Sequence, residues 1–114
     1  MSRDALVFLR HMLLCLERIS VYTQGGKASF MADAKTQDAV IRNLEIIGQC
    51  TRDYGTERLL RDEPGLPWHR VAGLRNVLAH DYLGVDLGLV WNIVTGELPA
   101  LESALRRLVS HLQA

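Results

Sequence analysis

Ala5, Leu6, Leu9, Met12, Leu13, Leu16 and Ile19 recur at steps of three and four. That is the apolar stripe of an amphipathic helix, for which Ser2 or Asp4 can act as cap. Thr23-Gln24-Gly25-Gly26 reads as a loop. A second helix is predicted to begin between Ser29 and Asp33 and to bury Val40, Ile41, Leu44, Ile47 and Cys50 or Thr51. It stops by Tyr54-Gly55, where glycine suits a C-terminal cap. Gly48 within it costs about 1 kcal/mol relative to alanine, which a close crossing by another helix would offset. Thr56 to Arg61 adds a helical turn. Pro64-Gly65-Leu66-Pro67 then forces a chain reversal, with Pro67 placed for the first turn of a third helix. That helix is predicted from Trp68 to about His80 and is marked by Val71, Leu74 and Leu78.

The last helix opens after Gly84 with Asp86 as its cap. It carries Leu87, Val90, Trp91, Val94, Leu98, Leu101, Leu105, Leu108 and Leu112. Pro99 lacks the N–H that would bond back to Thr95, so it should kink or briefly break this helix. No strand alternation, repeat or low-complexity tract interrupts the pattern. The prediction is a single all-α domain over residues 1–114, an antiparallel up-and-down four-helix bundle with a kinked C-terminal helix.

Composition narrows what such a bundle can do. The 114 residues are 48% hydrophobic, enough to fill a core and to exclude wholesale disorder. Thirteen basic and thirteen acidic side chains cancel, which argues against coating nucleic acid through a broad basic surface. Contact with phosphate must come from a few placed cations, and these are overwhelmingly arginine, with Lys27 and Lys35 the only lysines. Cys15 and Cys50 lie inside apolar-periodic stretches and lack the spacing of a zinc site, so they read as buried reduced thiols. Arg10, His11 and Glu17 interrupt the apolar N-terminal stretch, which therefore reads neither as a signal peptide nor as a membrane span. A cytoplasmic protein is expected.

The candidate chemistry sits in Arg75-Asn76-Val77-Leu78-Ala79-His80-Asp81-Tyr82. At about 100° per residue, Asn76 and His80 share a helix face, whereas Arg75 and His80 lie about 140° apart. The latter two meet only if the arginine stem curls round or the helix unwinds at His80.

The string RNVLAHDY resembles the Arg-x-x-x-x-His-x-Tyr signature of HepT-like proteins of the HEPN superfamily. The likeness extends over DAVIRNLEIIGQ (38–49), LPW (66–68), VWNIV (90–94) and LP (98–99). One departure is Gln49, where the family pattern leads one to expect an acidic residue. The resemblance implies the toxin of a two-gene, type II/VII-like toxin–antitoxin module. It would be a homodimeric, metal-independent endoribonuclease acting on tRNA or mRNA without a cofactor. The implied partner is a minimal MNT-type nucleotidyltransferase antitoxin, which would silence the toxin by transferring AMP to Tyr82.

The residues suit that chemistry. Metal-free RNA cleavage uses the neighbouring 2′-hydroxyl as nucleophile and needs a base, an acid and a cation for the phosphorane. Histidine can do either proton task near neutral pH, and arginine forks two donors toward phosphate oxygens. His80 and Arg75 are thus the catalytic candidates. Asn76 can orient His80, donate to phosphate or serve as a helix cap, and Asp81 can orient His80 or stand as a solvated turn residue. A two-fold dimer would supply two histidines and two arginines; a single His80 working with water or Asp81 would need no dimer. His11, His69 and His111 carry no ligand spacing, and Trp68 and Trp91 fall in core phases rather than as base-stacking platforms. The alternative function is a non-catalytic nucleotide- or substrate-binding partner of a nucleotidyltransferase, using Arg75 and His80 as phosphate ligands.

Overall fold

A computed structural model describes residues 2–79 and 84–113, with side chains except those of residues 2, 3, 75, 77 and 79. Within them the chain forms eight helices and no strand: α1 (Ser2–Tyr22), α2 (Lys27–Ala32), α3 (Ala34–Tyr54), α4 (Thr56–Asp62), α5 (Trp68–Ala72), α6 (Leu74–Ala79), α7 (Leu87–Gly96) and α8 (Leu98–Gln113). They pack as the expected all-α bundle around one core. Leu9, Met12 and Ile19 of α1, Val40, Leu44 and Ile47 of α3, and Leu101 and Leu105 of α8 supply it. Thr51 near the end of α3 donates to Met12 Sδ at the middle of α1, tying the two long helices together inside the core.

Two predicted helices are each divided in two, and a short helix not expected from the sequence, α2, precedes the second. That second helix, α3, starts at the far end of its predicted range: the extended backbone of Asp33 ends α2 and its carboxylate caps α3 by accepting from the Lys35 N–H at 3.1 Å and the Thr36 hydroxyl at 2.7 Å. The third splits at Gly73. The last splits at Glu97, two residues before Pro99. The proline sits in the first turn of α8, where its missing N–H leaves no intrahelical bond unmade. Asp86 caps α7 as expected, accepting from the Leu89 N–H at 3.1 Å, and Gly55 joins α3 to α4 at φ 116°, a conformation that favours glycine. Pro67 precedes α5 as its N-cap rather than lying inside it. No helix among the described residues is long and apolar enough to cross a membrane.

Candidate active site

The motif starts on α6, and the geometry of α6 follows from the break before it. Gly73 stands at φ −88°, ψ 0° and shares its N–H between the carbonyls of His69 (3.0 Å) and Arg70 (3.1 Å). The Asn76 N–H then bonds to Gly73 O at 3.0 Å, three residues back. In an unbroken helix it would reach Ala72 O, four back. That carbonyl is therefore left over, and Arg52 of α3 donates to it through Nη1. Arg52 Nη2 donates in turn to Gln49 Oε1 at 2.9 Å, while Gln49 Nε2 donates to Asp53 Oδ1, also at 2.9 Å. An amide can accept from the guanidinium and donate to the carboxylate at once; a second carboxylate could only accept. Gln49 is thus what links Arg52 to Asp53.

Leu74 and Leu78, one turn apart, are buried and anchor α6. Asn76 lies about 160–200° from both around the helix and is exposed. Arg75 lies in the first turn of α6, with its side chain outside the described set. His80, Asp81 and Tyr82 lie outside the described residues.

Neighbouring groups fix the entry to this segment. Trp68 opens α5 with its ring fully buried and donates Nε1–H to Glu63 O at 2.9 Å. His69 pairs with Glu57 of α4 at 3.0 Å on the surface. Arg70 pairs with Glu97, at the α7–α8 break, at 3.0 Å, above an apolar cavity of about 220 Å³ lined by Leu66, Val71, Leu74, Ile93, Leu98 and Leu101. Trp68 is core, as its phase predicts. Trp91 is half-buried against Phe30, ring centroids 5.5 Å apart. His11 and His111 are exposed, and no three His, Cys, Asp or Glu side chains among the described residues come together as metal ligands would.

Arg52 and Asn43 were not singled out from the sequence. Asn43 is buried in α3, the helix α6 packs on; its Nδ2 donates to Ala39 O at 2.8 Å, and its Oδ1 has no partner among the described residues. A polar residue at the phase of a core stripe, beside Leu44, was the signal available.

Residues 12–108 match the family described as HepT-like, Ribonuclease HepT-like. A protein of Methanocaldococcus jannaschii named "Gamma-glutamylcyclotransferase and putative RNase" is 34% identical over 98% of this chain, which spans half of that protein's length. The "Probable ribonuclease HepT" of Thermococcus cleftensis is 34% identical over 95% of this chain and 98% of its own. A second Methanocaldococcus jannaschii protein, named "Putative RNase", is 35% identical over 86% of this chain and 81% of its own. No solved structure gives a significant match. With an all-α bundle, a family match from α1 to α8 and the Thermococcus cleftensis relative at 34% identity over nearly its full length, the chain belongs to the ribonuclease HepT-like family of the HEPN superfamily.

Proposed function

We propose that this chain is a metal-independent endoribonuclease, the toxin of a toxin–antitoxin module, working through Arg75 and His80. The observation that carries the reading is α6. Leu74 and Leu78 anchor it and Asn76 stands exposed on the opposite side, so the Arg-x-x-x-x-His segment begins on a fixed helix at the surface. Relatives whose names include ribonuclease and RNase support the substrate class.

In this mechanism the 2′-oxygen attacks the adjacent phosphorus and one imidazole takes its proton. The 5′-oxygen departs with a proton from a second acid, leaving a 2′,3′-cyclic phosphate. Arg75 balances the charge gathered on the phosphorane. Two subunits facing each other supply both imidazoles from His80. Asn76 and Asp81 orient the imidazole, and AMP placed on Tyr82 by a nucleotidyltransferase partner would put a phosphate beside the cation that RNA needs.

The test is cleavage of tRNA and mRNA by purified protein in EDTA. His80→Ala is expected to lose about 10²–10⁴-fold, and growth arrest on expression should vanish with the same change. Cleavage that EDTA abolishes and His80→Ala spares would overturn the proposal. Intact mass after co-expression with a neighbouring nucleotidyltransferase gene should rise by AMP units, and Tyr82→Phe should prevent it.

A further inference from the structure

A cleft of about 580 Å³ opens where the end of α1 meets the break between α7 and α8. Ile19, Val94 and Leu98 give it an apolar floor. Trp91, half-buried with Phe30 packed against its ring, lines it as well. The polar lining is one-sided. Thr23 Oγ1 donates to Ile19 O at 2.8 Å, Thr95 Oγ1 to Trp91 O at 3.0 Å and Ser103 Oγ to Pro99 O at 3.2 Å. A hydroxyl has one proton, and here each is committed to the carbonyl four residues back, so toward the cleft these three oxygens can only accept. The one ionisable group of the lining is Glu102, half-exposed, whose Oε2 takes Arg106 Nε at 3.3 Å in a weak surface pair. No lysine, arginine or histidine lines the cleft among the described residues. The last turns of α1 and α7 end here and add the negative ends of two helix dipoles. The first turn of α8 also lies here, but it contains Pro99, which has no N–H to present to an anion.

We infer that this cleft binds an alkylammonium group, the chemistry shared by a free polyamine and a lysine side chain. Its methylenes lie over Ile19, Val94 and Leu98. Its ammonium head, with three donors and no acceptor, meets the Glu102 carboxylate and the oxygens of Thr23, Thr95 and Ser103. The Trp91 ring adds cation–π attraction. The same lining refuses a phosphate, which would bring acceptors to acceptors and negative charge to a carboxylate. The cleft is therefore not a second track for RNA, and the inference stands apart from the nuclease proposal.

The test titrates the full chain, in an amine-free buffer, with spermidine and separately with a Gly-Lys-Gly peptide blocked at both ends. Trp68 is fully buried, so a saturable change in tryptophan fluorescence reports Trp91. At least one probe should produce it, and the peptide acetylated on its lysine should not. Glu102→Gln should weaken binding by about tenfold or more. Arg106→Ala, which removes the competing partner of Glu102, should leave binding as tight or make it tighter. Trp91→Phe, followed by calorimetry, should bind more weakly than the parent. Glu102 and Arg106 are surface side chains, and circular dichroism checks that each variant keeps the fold. Saturation by spermidine makes a free polyamine the occupant; saturation by the peptide alone makes it a lysine of a partner protein. Silence with both probes, binding indifferent to Glu102→Gln, or inorganic phosphate competing for the same signal would overturn the inference.

Discussion

Arg52 of α3 donates to the carbonyl of Ala72, twenty residues on, at the point where the chain breaks before α6. The break frees that carbonyl, and the guanidinium replaces the missing helical N–H. Arg52→Ala should cost about 1–2 kcal/mol, the range for a hydrogen bond with a charged donor that is partly exposed. Amide exchange over residues 74–79 should quicken more than in α1 or α8. Arg52→Lys, which keeps the charge and loses the fork to Gln49, should fall between the two.

Asn76→Ala separates a site role from a packing role. The residue is exposed and its side chain supports no described contact, so stability should stay within about 0.5 kcal/mol. RNA cleavage should fall while the melting temperature holds. A joint loss of both would make Asn76 structural.

Trp68 carries a larger share of the fold. It is fully buried and its N–H satisfies the Glu63 carbonyl in the turn between α4 and α5. Trp68→Phe keeps an aromatic ring and strands that carbonyl, at about 1–3 kcal/mol. Trp68→Ala should cost about 3–5 kcal/mol. Chemical denaturation followed by circular dichroism measures both.

Glu63 also links the α4–α5 turn to α8. Its carboxylate accepts from Arg107 Nη2 at 2.7 Å and from Nε at 3.2 Å. The Arg107 hydrogen bonds hold the Glu63 carboxyl below the usual carboxylate range. The folded state therefore binds fewer protons than the unfolded one near that range. The resulting stability is present above an ordinary glutamate pKa of about 4.3 and is lost as pH falls through the folded value. Arg107→Gln should melt lower than the parent at pH 6, and the difference should shrink in acid and in high salt.

Burial pushes the Cys50 thiol up to about 11, with Cys15 and Asp53 adding to the shift. Cys15 is raised by the same cause. Neither should react with a thiol reagent at pH 8 while the chain is folded, and both should react on unfolding. Fast labelling of the native protein would contradict their burial.

Local periodicity carried most of the fold. The stripes through Leu9, Met12, Leu44, Ile47, Leu101 and Leu105 are legible because helix phase depends only on spacing along the chain, and each of these side chains is buried. Asp86 as a cap, Gly55 as a junction and the turn after Thr56 are local signals too, and each stands where the residues point. The Arg-x-x-x-x-His-x-Tyr string and the family were likewise written in the linear order.

The two divisions of the predicted helices needed more than spacing. A helix pattern continues across Gly73 and Glu97, and whether the backbone follows it depends on who satisfies the freed groups. At Gly73 that partner is Arg52, distant in sequence and brought close only by the packing of α3 on α5 and α6. The exposure of Val7, Leu14 and Val21 is of the same kind. Their phase marks them as apolar, but only the placement of α3 and α8 on the other sides of α1 decides that they stay uncovered. Periodicity says which side chains share a face; tertiary packing decides which faces and which carbonyls find a partner, because both depend on atoms far away in the chain.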